Sequence, residues 1–282
     1  MKTILYATDY TDHSLSALHY AYDLSSRVGA KLIILHVFDI PSFSGTTMIS
    51  PLRKTVKRAY VEQNAVLKEY CKKHLGNDLE KLNVQTTVAK SISISEEVLV
   101  QTKRYKVDLV IVGVKDSNSK RGFFEGDIAK TLLTQLPCPL LVVPDHSSAK
   151  KINTIVYATD FEESDVFAIQ ELTALATWFE ATIHVVHVST QNDTDDKEQI
   201  EWFKEMVSQK VSYSNIEYDV LLADDVYTKL MNFLKSMDAD MVVLLEREER
   251  GLLKKLFHKD LVKQVEAHTS IPLLSFNSKN QK

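Results

Sequence analysis

At 282 residues, with 44% hydrophobic and 26% charged side chains, the chain has the length and composition of two soluble globular cores, which excludes a disordered or fibrous protein. A net charge of -4 provides no basic field for nucleic acid. Cys71 and Cys138 have neither CxxC spacing nor a histidine in ligand pattern, against a disulfide scaffold or a zinc site.

Apolar runs such as Leu32 to Leu35 and Leu109 to Val112 fall far short of the ~20 residues of a membrane helix. Lys2 directly precedes a strand-like segment with no secretory leader, so the expectation is a cytoplasmic protein with neither a membrane nor a nucleic-acid partner.

In chain order, the first strand is Thr3-Ile4-Leu5-Tyr6-Ala7-Thr8, followed by the turn Asp9-Tyr10-Thr11-Asp12-His13-Ser14, with Ser14 a natural helix cap. Leu15, Leu18, Tyr22 and Ser25, flanked by Ala17, Ala21, Leu24 and Val28, mark an amphipathic helix ending at Gly29. A second buried-type strand runs from Ala30 to Val37, a third from Asp108 to Val112, and a fourth from Pro139 to Val143. Helical periodicity is expected near 53–75, 95–106 and 127–136. The polar stretch Pro144 to Lys151 reads as a linker.

The same series then repeats. Thr154-Ile155-Val156-Tyr157-Ala158-Thr159-Asp160 differs from Thr3 to Asp9 at one aliphatic position, and Ala181 to Val188 matches Ala30 to Val37. Asp240 to Leu244 and Pro272 to Phe276 complete it. Further helices are expected near 195–210, 226–237 and 260–268, besides one carrying Phe167, Leu172, Leu175, Ala176 and Phe179. Strands alternating with helices give an α/β protein of two tandem open-sheet domains, 1–145 and 151–282, each a mostly parallel, doubly wound sheet flanked by helices.

Open parallel sheets bind ligands beyond the carboxyl ends of their strands, where strand order reverses. Asp9 lies at one such end. At another, Gly113 and Asp116 are followed, after nine intervening residues, by Gly126 and Asp127, which opens a helix. Glycine admits a phosphate close to the backbone, and a helix amino terminus offers free N–H groups. Six of the seven glycines lie in the first copy, so a glycine-type cradle belongs there; Gly251 alone remains for the second. The basic clusters Arg53-Lys54 with Lys57-Arg58, and Lys254-Lys255 with Lys259 and Lys263, read as solvated helix faces. His36 and His187, at equivalent strand ends, read as hydrogen-bonded packing residues, and His184 sits on a buried-type strand. The chain carries no nucleophile elbow, HExxH or P-loop motif, so catalysis is not indicated.

Ile4-Leu5-Tyr6-Ala7-Thr8-Asp9-Tyr10-Thr11, Leu35-His36-Val37, Asp108-Leu109-Val110-Ile111-Val112-Gly113 and Pro137-Cys138-Pro139-Leu140-Leu141-Val142-Val143-Pro144, in this order, resemble the universal stress protein family. The resemblance implies dimer contacts through the last strand, here Leu140 to Val143 and Leu273 to Phe276, which a tandem chain can make within itself as an internal pseudo-dimer; a homodimer of the whole chain is also open.

It further implies, for members holding ATP, a Gly-x2-Gly-x9-Gly-Ser/Thr loop with the strand-one Asp and the end of strand two framing adenine. Carried over, the cofactor-binding set is Asp9, Val37, Gly113, Asp116, Gly126 and Asp127, with no catalytic or metal-ligating residue. Two of the four loop positions are carboxylates. One such charge ~4 Å from a phosphate costs about 4 kcal/mol at an effective dielectric near 20, roughly three decades of affinity, unless Mg²⁺ intervenes. In the second copy Leu245 and Glu246 stand where the loop begins, and Asp260 replaces Asp127 before another helix, so helix capping is favoured over ligand binding at Asp127.

Two functions are expected: a non-catalytic stress-response protein sensing a small ligand or acting as a scaffold, or an adenine-nucleotide-binding protein using ATP with Mg²⁺ in residues 1–145, with slow hydrolysis.

Overall fold

The computed structural model describes residues 1–12, 14–40, 49–114, 127–145, 147, 151–189, 195–246 and 271–280. The first copy consists of β1 (Thr3–Thr8), α1 (Ser14–Val28), β2 (Lys31–Phe38), α2 (Ile49–Leu75), β3 (Val84–Lys90), α3 (Ile94–Tyr105), β4 (Leu109–Val114), α4 (Asp127–Gln135) and β5 (Leu140–Pro144). The second consists of β6 (Thr154–Ala158), α5 (Glu163–Phe179), β7 (Thr182–Ser189), α6 (Asp195–Lys210), β8 (Ile216–Leu222), α7 (Val226–Ser236), β9 (Met241–Glu246) and β10 (Leu273–Asn277). The helix expected near 260–268 lies outside the described residues.

All ten strands form one open sheet in the order β3-β2-β1-β4-β5-β10-β9-β6-β7-β8. Within each half the pairing is parallel; between the halves β5 and β10 run antiparallel. In this junction Val142 faces Leu273, Leu141 faces Leu274, and Leu140 faces Ser275. Leu140 and Leu273 hold equivalent places against β4 and β9, opposite Val110 and Val242. The pairing is therefore symmetric about Leu141 and Leu274, and the tandem copies form the internal pseudo-dimer.

The sheet has helices on both faces. Below α1, α2, α5 and α6 one continuous core passes through both copies, from Tyr6, Leu18 and Leu67 to Tyr157, Ile169 and Phe203. Arg27 of α1 reaches over the ring of Phe179 in α5, 5.7 Å from its centroid, across the junction. On the opposite face separate clusters lie under α3 and α4 and under α7, with Val142 touching both. β1 and β6 are buried on this double-sided core, which explains their unbroken aliphatic runs.

β3 and β8 were not anticipated from the sequence. Each is an edge strand interrupted by polar residues, Gln85-Thr86-Thr87 and Glu217-Tyr218-Asp219, which shorten the continuous apolar run that marks an interior strand.

The duplicated residues do the same structural work twice. Asp108 Oδ2 accepts the amides of Lys2 and Thr3 at 2.6 and 2.8 Å; Asp240 Oδ2 accepts those of Asn153 and Thr154 at 2.7 and 3.0 Å. Each carboxylate fastens the start of a copy's first strand beside its fourth.

Candidate functional site at the carboxyl edge of the first copy

In the first half the strand order reverses between β1 and β4, and Asp9 follows β1 directly. Thr8 pairs with His36, and Ala7 with Val112, so the Asp9 turn, the His36-Val37 strand end and Gly113 adjoin one another. Three of the six expected binding residues are thus brought together. Asp116 and Gly126 lie outside the described residues; Asp127 is the first residue of α4, and its side chain is likewise outside the description. Among the described residues no group of three or more His, Cys, Asp or Glu side chains is arranged to hold a metal ion.

The Asp9 turn is built locally. Asp9 Oδ1 accepts the amide of Thr11 at 3.1 Å and its hydroxyl at 2.7 Å, closing an Asx turn. That fixes the carboxylate through one oxygen and, among the described residues, leaves Oδ2 without a hydrogen-bond partner. Tyr10 adopts φ +65, a conformation uncommon for a bulky residue, and its amide donates to Thr8 Oγ1 at 3.1 Å. Ser14 is not the cap expected of it: it is the first residue of α1, donating its hydroxyl to Thr11 O at 2.8 Å.

The turn places Tyr10 on His36, ring centroids 4.1 Å apart with planes at 28°, and Tyr70 of α2 meets Tyr10 edge-on at 5.4 Å. His36 Nδ1 donates to the carbonyl of Thr8 at 2.9 Å, the packing role expected, and Nε2 then carries the lone pair. Burial lowers the imidazole pKa, outweighing the Thr8 hydrogen bond and the Asp9 charge that raise it, and favours the neutral ring.

The second copy repeats this frame with different contents. Phe161, at φ +59, stacks on His187 at 4.6 Å, and His187 Nδ1 donates to Thr159 O at 2.8 Å. Phe161 is buried, however, and packs against Phe203 at 5.3 Å, so an apolar ring fills this end. Where Val114 ends β4, Glu246 ends β9; its carboxyl is half-buried, and that burial raises its pKa. Asp165 replaces Ser14 and accepts hydrogen bonds from Tyr157 Oη at 2.8 Å, Thr159 Oγ1 at 2.7 Å and the Glu162 amide at 3.1 Å. A carboxylate already occupied by three donors is a structural fixture. His184 is buried on β7, with Nδ1 3.5 Å from both Glu217 Oε2 and Asp219 Oδ2, away from this edge.

Sequence reasoning passed over Tyr10 and Tyr70. The aromatic difference Tyr10 against Phe161 at a repeated position was the available signal for the first; the second is brought in by α2 packing, for which the sequence carries no motif.

An open sheet of two doubly wound halves joined last strand to last strand defines a tandem, mostly parallel α/β class. The universal stress protein family profile matches residues 1–144 and again residues 151–276, and the chain belongs to that family. It is similar to the universal stress protein Slr1230 of Synechocystis, 22% identical over 98% of this chain and 100% of that one. A universal stress protein of Thermus aquaticus is 22% identical across 50% of this chain and 98% of its own. Among solved structures, a universal stress protein from Archaeoglobus fulgidus shares the fold with a TM-score of 0.69, at 11% identity and 98% coverage of both chains. Among the described residues no helix is long and apolar enough to cross a membrane.

Proposed function

We propose that this chain is a non-catalytic stress-response protein that senses a small ligand at the carboxyl edge of its amino-terminal copy, the carboxy-terminal copy completing the pair. The observation that carries the reading is the contrast between two equivalent strand ends. In the first copy Gly113 adjoins an Asp9 whose Oδ2 has no hydrogen-bond partner among the described residues; in the second Leu245 and Glu246 stand at the equivalent strand end, and Phe161, in the place of Tyr10, is buried.

The favoured ligand is an adenine nucleotide. Val37 and the Asp9 turn would face its base and ribose, and the Gly113 to Asp127 segment its phosphates, with Asp116 and Gly126 as members of that segment. Mg²⁺ would offset the segment's carboxylates and supply charge neutralisation when bound.

Calorimetry on the full chain with ATP and MgCl₂ tests this. Binding that weakens at least tenfold in Asp9→Asn supports the reading; no heat at millimolar nucleotide overturns the nucleotide assignment. Native mass spectrometry of the purified chain then reports whether another small ligand travels with it, and a mass equal to that of the bare chain would overturn the sensor reading as well.

A further inference from the structure

A place that holds neutral residues in the first copy holds three ionisable ones in the second. Ile183 pairs with Ile216 as Leu32 pairs with Val84, so His184, Glu217 and Asp219 answer to Ile33, Gln85 and Thr87. In the first copy Ile33 is buried, Gln85 Nε2 donates to Tyr105 Oη at 3.5 Å, and that hydroxyl lies 3.5 Å from Thr87 Oγ1. Isoleucine, glutamine and threonine have no charge to gain or lose.

In the second copy His184 is 5% exposed on β7, and its Nδ1 lies 3.5 Å from both Glu217 Oε2 and Asp219 Oδ2 of β8. The register sets His184 beside Glu217, and Asp219, two residues on, returns to the same face of the sheet. Nδ1 is buried and makes no hydrogen bond among the described residues. A buried polar atom without a partner is uncommon and calls for a reason. The other described elements packed here bring little charge. Val156 of β6 lies beside His184 in register, and α7 presents the ring of Phe233, 6.4 Å away at 68°. α7 also contributes Tyr227 to this core, and burial raises its phenol pKa, which keeps it neutral. Lys229 and Lys235 of the same helix come within ion-pair distance of neither acid among the described residues.

We propose that the carboxy-terminal copy contains a proton-responsive device, in which His184 on taking up a proton ties the edge strand β8 to the sheet. Two acidic oxygens beside Nδ1 hold the neutral ring's one N–H there and leave the lone pair on Nε2. A proton from solvent adds to Nε2, no bond breaks, and the ring gains one positive charge that both carboxylates share. A buried charge is tolerated where it is paired, and the two acids supply the pairing. β8 has a neighbouring strand on one side only, so its attachment depends on such contacts more than that of an interior strand does. Tyr105 bridges the equivalent residues of β3 with neutral groups, which leaves the first copy without this response. The device needs no ligand at the Asp9 turn and stands apart from that reading.

Amide exchange of the full chain at pH 7.5 and pH 5.5 tests it, expressed as protection factors so that the intrinsic pH dependence of exchange drops out, with β3 as the reference for β8. Two partly exposed ion pairs sharing one cation predict about tenfold greater protection of β8 at the lower pH and no gain in β3. His184→Ile, and separately Glu217→Gln combined with Asp219→Thr, install the residues that the first copy uses at these places, and each should abolish the gain. Equal β8 protection at the two pH values in the parent overturns the proposal. A gain that survives His184→Ile belongs to another group and overturns it as well. A gain that survives the loss of both acids overturns the tie between His184 and β8.

Discussion

Tyr10 lies face to face with His36, and the ring it presents is the one Phe161 presents to His187, except for a hydroxyl. That hydroxyl is buried and has no hydrogen-bond partner among the described residues, and burial pushes the phenol pKa upward. An unpaired buried O–H costs free energy that a C–H at the same place does not. Tyr10→Phe should therefore stabilise the chain by about 1 kcal/mol in urea unfolding. Destabilisation would mean that the hydroxyl has a partner, and the difference between the two copies would then mark a polar site in the first.

The His36 imidazole should titrate below the ordinary histidine value of about 6.5, followed by its ring C–H resonance. The folded chain takes up this proton less readily than the unfolded chain. Between the lowered folded value and about 6.5 the unfolded state binds more protons, so stability rises with pH through that window and is lost on acidification. In His36→Gln, which keeps an N–H for the Thr8 carbonyl, the decline of the urea midpoint from pH 7.5 to 5.5 should be shallower than in the parent. An unchanged slope, or a titration centred above 6.5, would refute the assignment.

Burial explains what could be read from the sequence. Ile4-Leu5-Tyr6 and Ile155-Val156-Tyr157 are covered on both faces, so selection for packing wrote an unbroken apolar run into each copy. β3 and β8 face neighbours on one edge only and tolerate Gln85 or Glu217, which breaks up their apolar pattern. The position of the candidate site was legible where strands end, at Asp9, Val37 and Gly113. It was illegible where tertiary packing creates it: nothing local says that Tyr10 adopts a left-handed conformation or that Tyr70 arrives beside it.

Gly29 and Glu180 end equivalent helices with φ of +65 and +54. The following amides make the same bond, Ala30 N to Ser25 O at 2.9 Å and Ala181 N to Ala176 O at 3.1 Å. Only the first copy uses the residue for which this backbone is free of strain. Glu180→Gly should raise stability by about 1 kcal/mol, the left-handed penalty less the added entropy of an unfolded glycine. Gly29→Ala should lower it by a similar amount. Equal and opposite shifts of the denaturation midpoint would show that the two helix ends are energetically equivalent despite their sequences.

Ser14 and Asp165 solve the same packing problem with different chemistry. In the first copy Tyr6 Oη donates to the Ser14 carbonyl at 2.6 Å, and the Ser14 and Thr8 hydroxyls lie 3.3 Å apart. In the second, the Asp165 carboxylate gathers the Tyr157 and Thr159 hydroxyls and the Glu162 amide. Asp165→Ala would leave these donors without that acceptor in a buried place and should cost about 3 kcal/mol. Asp165→Ser should cost less, about 1–2 kcal/mol, because Tyr157 can turn to the backbone carbonyl as Tyr6 does and Thr159 regains a hydroxyl partner. Chemical denaturation of the two variants checks the order. If serine proved as costly as alanine, the first copy's arrangement would depend on neighbours that the second copy lacks, and the two helix starts would no longer be interchangeable.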